Sequence, residues 1–202
     1  MSASTSSRRR NARLLTAGAI IAGLAGSAAI VWHASYSAFS AQTTNPSSNW
    51  SAGTVSLSDD DSNTAMFNAT GLKPGSTGTK CIAVTSTGSL PSAVKLYGTN
   101  PSTTKSLSSY INLTVTQGTG GGFGSCTGFT ALATGSTVYS GKLDAFGSTK
   151  VDYASGAGDW APTGSASDTR VYQITYTLDS ATPNTSQGGT ASIGLTWEAQ
   201  NS

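Results

Sequence analysis

The chain has 202 residues and a formal net charge of +2, with 11 basic side chains, 9 acidic side chains and one histidine. Much of the basic charge lies at the N-terminus, where Arg8, Arg9, Arg10 and Arg13 precede an apolar run over residues 14–32. Beyond residue 37, seven basic side chains stand against nine acidic ones and no histidine remains. The resulting net charge of −2 excludes a basic nucleic-acid-binding surface, and the missing imidazole excludes catalytic triads and the zinc-protease motif.

The first 37 residues have the order of a secretion signal: basic residues, then an apolar run, then small residues. The small residues place cleavage between Ser37 and Ala38. The apolar run is also close to the roughly 20 residues that span a bilayer, so an uncleaved anchor is the alternative. We therefore expect a signal over residues 1–37, an N-terminal segment over 38–50 and one extracellular or cell-surface domain over 51–202.

Beyond the signal, apolar residues alternate with polar ones over short runs that Gly, Pro, Asn and Ser separate, as is typical of half-buried strands. The clearest strands are predicted at residues 110–116 and 170–178. A type II turn is predicted around Pro74 and Gly75, and almost no helix is expected after the signal. About eight or nine strands at this spacing indicate a sandwich or a barrel. The other strands are predicted at residues 54–57, 65–67, 81–84, 93–97, 129–132, 138–143 and 191–198.

Cys81 and Cys126 are the only two cysteines. In an exported chain, two cysteines most often form one disulfide. Closing a loop of about 45 residues would restrict the unfolded chain by about 4 kcal/mol. Two free thiols are the alternative, and a zinc site is a weaker one, because zinc normally takes four ligands and no histidine is available.

Two further motifs suggest ligand binding, but each has a simpler interpretation. Asp59, Asp60 and Asp61 could share a Ca²⁺ ion that relieves their mutual repulsion. Their spacing does not match an EF-hand loop, and a solvated turn is the simpler interpretation. The glycine run at 118–124 lacks the Lys-Ser/Thr pair and the helix of a phosphate-binding loop, so we interpret it as a hairpin or long connection. No cofactor is expected.

Four short motifs follow one another from the end of the signal onward. They are YSAF at residues 36–39, SAGTVSLS at 51–58, LKPG at 72–75 and TGSL at 87–90. In this order and spacing they resemble the TasA/camelysin family of Gram-positive bacteria, and residues 189–198 resemble its last strand. The cysteines depart from the family pattern. The metalloprotease activity described for camelysins is not carried over, because this chain has no zinc motif.

The resemblance implies a jelly-roll-like antiparallel β-sandwich, processing by a SipW-type signal peptidase and a place in the extracellular matrix or biofilm. Fibre-forming members donate the mature N-terminal segment as a strand to the next subunit, which is β-augmentation between copies. Carried over to this chain, the donor is about residues 38–49, with Phe39 as its first apolar anchor. The residues predicted to mediate self-assembly are Ala38, Phe39, Ser40, Ala41, Gln42, Thr43 and Thr44.

The predicted function is therefore a structural subunit of a secreted fibre or surface layer, and not an enzyme. Its expected partners are further copies of itself, with other matrix proteins or polysaccharide as additional candidates. The alternative is a non-polymerising module that binds a carbohydrate or a protein. An exposed Trp50 or Trp160 could stack on a sugar, but the simpler interpretation of each is a core or turn residue. The two functions differ at the N-terminal segment, because a donor strand is barely packed on its own domain.

Overall fold

A computed structural model describes residues 53–62 and 64–201. The signal, its cleavage position and the predicted donor at 38–49 lie outside these described residues. None of the helices in the described part of the chain is long and apolar enough to cross a membrane. In chain order, the elements are β1 (Leu57–Asp59), β2 (Thr77–Ser86), β3 (Ser92–Thr103), a 3-10 helix (Leu107–Tyr110), β4 (Ile111–Thr119), β5 (Thr130–Ala131), β6 (Thr137–Lys142), α1 (Leu143–Thr149), β7 (Ala157–Trp160), β8 (Asp168–Leu178), a 3-10 helix (Asn184–Ser186) and β9 (Ala191–Asn201).

The strands form two antiparallel sheets that pack on either side of one core. The larger sheet has the order β1-β2-β8-β4, and both β5 and β6 pair with the far edge of β4. The smaller sheet has the order β7-β3-β9. These nine described strands confirm the predicted all-β sandwich. Of the two architectures that the sequence pattern left open, the chain adopts the sandwich.

The alternation in β8 sets the two faces of the larger sheet. Tyr172, Ile174 and Leu178 point into the core and are at most 2% exposed. Full burial of a large apolar side chain stabilises a fold by about 1.5–3 kcal/mol. Both sheets and α1 contribute the other buried members of the core cluster, which are Ile82, Val84, Val94, Leu96, Leu113, Val115, Phe146 and Trp160.

The outer face of the larger sheet carries threonine pairs that fix the register between β2 and β8. A slip of one residue would break these pairs and would also turn Tyr172 and Ile174 away from the core. Cross-strand pairs of this kind contribute about 0.2–1 kcal/mol each. Hydroxyl hydrogen bonds join the opposite residues Thr77 and Thr177 at 3.1 Å, Thr79 and Thr175 at 2.9 Å, and Thr85 and Thr169 at 2.9 Å.

The type II turn predicted before β2 is present. The Ser76 N–H donates to the Lys73 carbonyl at 2.8 Å, and Gly75 has a φ of +85°, which suits glycine. Gly75 then donates to the Leu178 carbonyl at 2.8 Å, so the turn leads β2 directly alongside the end of β8.

The structure differs from the sequence expectations in four elements. The strand predicted at residues 54–57 is displaced to β1 (Leu57–Asp59), and Thr54 and Ser56 accept hydrogen bonds from the turn after β2. Residues 65–67 are not a strand; they belong to the β1–β2 connection, where Met66 and Phe67 pack against the core. β7 is absent from the predicted strands because Gly156 and Gly158 interrupt the alternation around it. The helix α1 was not expected either. It has only seven residues, and the burial of Phe146 against both sheets stabilises it more than helix propensity does.

Candidate functional site

The free edge of β9 is defined by the direction of its backbone groups. In an antiparallel pair, opposite residues either exchange both hydrogen bonds or direct both groups away from each other. The Gly98 N–H in β3 donates to the Lys150 carbonyl at 2.7 Å and therefore not to β9. Gly98 lies opposite Leu195. The N–H and C=O of Leu195 consequently point away from β3, toward the edge of the smaller sheet.

The same geometry holds along the second half of β9. Ser92, opposite Asn201, also donates to a loop carbonyl instead of to β9. The register between β3 and β9 is regular from there to Leu195, so alternate residues face the edge: Leu195, Trp197 and Ala199. Within residues 53–62 and 64–201, no strand pairs with this side of β9. On this side of β9, the row of N–H and C=O groups therefore has no partner strand among the described residues, and β1 lies close to β9 without pairing with it.

The inner face next to this edge is apolar and only partly covered. Ile193, Leu195, Trp197 and Ala199 pack against the core, yet each keeps part of its surface exposed. On β3, the neighbouring strand, the inward-pointing Val94 is only 1% exposed. The contrast is the one expected when a sandwich layer lacks a strand beyond β9.

Trp197 packs against Tyr172 on this face. Its Nε1 is buried, and its interaction with the Tyr172 hydroxyl partly offsets the effect of burial on the pKa of that group. Its ring centroid lies 5.2 Å from that of Tyr172, with the planes tilted by 51°. Burial raises the pKa of Tyr172 well above its ordinary value, so the phenol stays protonated at neutral pH.

The other edge strands of the two sheets are shorter. β1 has three residues, β5 has two and β7 has four, with a register shift against β3. β6 has six residues and ends in the ion pair between Lys142 and Asp179. β9 runs for 11 residues, and its one charged side chain, Glu198, accepts from the Tyr97 hydroxyl on the outer face. Short strands and charged side chains protect sheet edges from strand addition, and β9 lacks this protection.

The first residues that the structure describes lie at the end of the sandwich where β9 ends. The Thr54 N–H donates to Ser89 Oγ at 2.9 Å, and the Ser89 N–H donates to the Thr54 carbonyl at 2.7 Å. Ser89 lies just before β3, whose first residue, Ser92, is opposite Asn201 at the end of β9. Thr54 therefore lies at the same end of the sandwich as Asn201.

The structure gives the cysteines and the acidic cluster structural roles. Cys81 and Cys126 form the expected disulfide, with their Cα atoms 5.1 Å apart. In the described part of the chain, no group of three or more His, Cys, Asp or Glu side chains is placed to hold a metal ion. Asp59, Asp60 and Asp61 are thus not gathered into a Ca²⁺ site. Both carboxylate oxygens of Asp60 instead accept hydrogen bonds from backbone N–H groups.

Trp160 is a core residue and offers no surface for stacking on a sugar. It is 2% exposed, and its Nε1 donates to Asp168 at 2.9 Å. The Arg170 guanidinium lies 5.7 Å from the centroid of its ring. Trp50 and the seven predicted donor residues at 38–44 lie outside the described residues.

No protein-family model matches the chain, and no curated protein is significantly similar to it. The function is therefore inferred from the geometry of the site. That geometry combines an extended backbone edge with a partly covered apolar face, which is the arrangement that recognises another extended chain.

Proposed function

We propose that the protein is a secreted structural subunit of an extracellular fibre or surface matrix, and that it assembles head to tail by strand addition at β9. The observation that carries the proposal is the row of backbone groups at Leu195, Trp197 and Ala199 that no strand of the described residues pairs with, next to an apolar face that is only partly covered. A strand from a second copy would satisfy the backbone groups and cover the apolar face together.

The donor that we propose is residues 38–49 of the next copy. Pairing with three alternate residues of β9 takes about five residues of donor. The run up to Asn45 is long enough and contains no proline, whereas Pro46 lacks the N–H that a paired strand donates. In an extended strand Phe39 and Ala41 lie on the same face, so both side chains could cover the inner face of β9.

Donor and acceptor are different surfaces of one chain, so each contact leaves a free donor at one end and a free acceptor at the other. Such a contact does not close and produces a filament. In this proposal, a SipW-type signal peptidase cuts between Ser37 and Ala38 of a Gram-positive cell-surface precursor and thereby frees the donor. The Cys81–Cys126 disulfide supports export, because disulfides persist in oxidising compartments. Other matrix proteins or polysaccharide would join the assembled fibre.

Electron microscopy of the concentrated chain that begins at Ala38 tests this proposal. We expect filaments, and we expect their loss when residues 38–44 are deleted, because the deletion removes the donor but none of the sandwich. Circular dichroism checks that the shortened chain is still folded. Filaments of undiminished length after the deletion would refute donation by this segment.

A synthetic peptide of residues 38–49 allows the same contact to be measured between two molecules. We expect it to bind the shortened chain with one-to-one stoichiometry and to change the fluorescence of Trp197, which lies on β9. A matched peptide with Phe39→Ser should bind at least about tenfold more weakly, because it loses the burial of one aromatic ring. A failure of the native peptide to bind, together with an absence of filaments, would favour a non-polymerising binding module.

A further inference from the structure

The exposed side of β2 is a second sheet edge, and the proposed assembly does not use it. β1 covers only the last part of this edge, since Asp59 lies opposite Val84 and pairing goes no further along β2. Cys81 and Ala83 direct their backbone groups away from β8: the Cys81 carbonyl accepts from Gly124, and the Ala83 N–H donates elsewhere. Without other cover, this part of β2 would resemble the open edge of β9.

The side chain of Asp60 takes the place of β1 at this point. Its Oδ1 accepts from the Ala83 N–H at 2.9 Å, and its Oδ2 accepts from the Phe123 N–H at 2.7 Å. Hydrogen bonds to an ionised carboxylate are roughly twice as strong as neutral ones. One carboxylate therefore occupies the free donor of β2 and ties it to the connection between β4 and β5.

That connection is the glycine loop, which we define as residues 120–129. Gly122 and Ser125 exchange backbone hydrogen bonds of 3.0 Å each, and Gly124 within this turn has a φ of +78°, which suits glycine. The Gly124 N–H donates to the Cys81 carbonyl at 2.9 Å. Two residues later, Cys126 is joined to Cys81 by the disulfide. The loop is thus held on the free acceptor of β2 by both a hydrogen bond and a covalent bond.

We infer that Asp60, the glycine loop and the disulfide form an edge seal, which prevents a second copy from pairing its own β2 with this strand. Three motifs from separate parts of the chain meet at this one place: the acidic cluster, the glycine run and the cysteine pair. The partner that the seal excludes is another β2, because two identical open edges related by a two-fold axis can pair with each other. This inference goes beyond the proposed function and does not depend on it.

Removal of the Asp60 side chain tests the seal in a chain whose β9 edge is blocked. The background is Ala199→Pro, which removes an outward N–H from β9 and so suppresses addition there. With the Cys81–Cys126 disulfide reduced in every sample, so that the glycine loop can leave β2, we expect the background chain to be monomeric in sedimentation equilibrium and the added Asp60→Ala to produce dimers. Hydrogen exchange at the Ala83 amide should accelerate by about tenfold or more, the change expected when one charge-assisted hydrogen bond is lost.

The matched control is Asp152→Ala in the same background. Asp152 also accepts two hydrogen bonds, from the Ser155 N–H at 2.8 Å and from its hydroxyl at 2.7 Å, but it lies in the connection between α1 and β7. It should change neither the oligomeric state nor exchange at Ala83. If Asp60→Ala does not fold, Asp60→Asn replaces it; this variant keeps one acceptor oxygen and should give a smaller shift in the same direction.

Two results would overturn the inference. One is unchanged exchange at Ala83 after the loss of Asp60, because the carboxylate would then not cover the edge. The other is faster exchange without dimers under these reducing conditions, because the opened edge would then not be an interaction surface. A wild-type chain that never forms filaments would contradict the proposed fibre function, yet the comparison of Asp60→Ala with Asp152→Ala would be unaffected.

Discussion

Proline substitutions at residues 199 and 200 distinguish the open side of β9 from the side that pairs with β3. Ala199 lies opposite Val94, which directs its backbone groups to Trp160 of β7, so the Ala199 N–H points away from β3. Proline there removes a donor that the β3–β9 ladder does not use, and edge strands tolerate proline in this orientation. Proline at Gln200 has the opposite effect, because the Gln200 N–H is directed at Ala93 of β3.

The expected magnitudes differ for the same reason. Ala199→Pro breaks no hydrogen bond among the described residues, so its free energy of unfolding should change by less than about 1 kcal/mol. Gln200→Pro breaks a ladder bond and leaves a carbonyl of β3 unpaired, which costs about 1–3 kcal/mol. For a domain of this size, about 1 kcal/mol lowers the melting temperature by about 2–4 °C. In the assembled state, Ala199→Pro removes one hydrogen bond of about 0.5–1.5 kcal/mol, which weakens binding of the donor by up to about tenfold. The proline ring also displaces the donor backbone, which weakens binding further.

Thermal unfolding by circular dichroism and titration with the peptide of residues 38–49 measure the two effects separately. Ala199→Pro should melt close to the wild-type chain and bind the peptide weakly. Gln200→Pro should melt several degrees lower. The reasoning about edge direction is refuted if the two variants are equally destabilised, or if Ala199→Pro binds the peptide with unchanged affinity.

Two further substitutions test packing and charge. Gly78→Ala should lower the free energy of unfolding in urea by about 1–3 kcal/mol, because the added Cβ would lie 2.5 Å from Cε1 of Tyr176; wild-type stability would contradict this close approach. Hydrogen bonds from the Ala181 N–H and from Lys142 hold the pKa of Asp179 below its ordinary value. Its stabilising contribution is therefore present at neutral pH and is lost as the pH falls through that lowered pKa. Asp179→Asn should lower the melting temperature at pH 7 and have little effect in acid below that pKa; an equal effect at both would show that charge is not the cause.

The strands with strong alternation are predictable from the sequence, and those without it are not. The patterns at 110–116 and 170–178 predict β4 and β8 closely, because each of these strands has one buried face and one polar face. Residues 65–67 have suitable apolar side chains but no neighbouring strand to pair with. Met66 and Phe67 reach the core from an irregular connection, with the Phe67 ring 5.2 Å from that of Tyr176. Strand formation depends on such distant neighbours, which a local pattern does not contain.

The candidate site is predictable only in part for a related reason. The pattern at 191–198 indicates a strand with Ile193, Leu195 and Trp197 on one face, and β9 has this arrangement. That β9 lies at an edge follows from the strand order, which alternation does not determine. The role of Asp60 is equally non-local, because its two backbone donors are 23 and 63 residues away in the sequence. From the sequence, the acidic cluster therefore indicates a solvated turn or, less simply, a cation site, whereas the partners of Asp60 are backbone amides.

The open β9 edge and the sealed β2 edge have different consequences for a polymer. In the proposed assembly, a subunit with one acceptor edge and one donor segment makes two contacts, which is the condition for a linear chain. A second acceptor edge would add a third contact and create a branch point or a lateral dimer. Partial exposure of the β9 inner face lowers the stability of the isolated subunit, but it keeps apolar area available for association. A seal on β2 then restricts that association to one edge. The open edge of β9 would allow the polymer to grow, and the seal on β2 would keep the polymer linear.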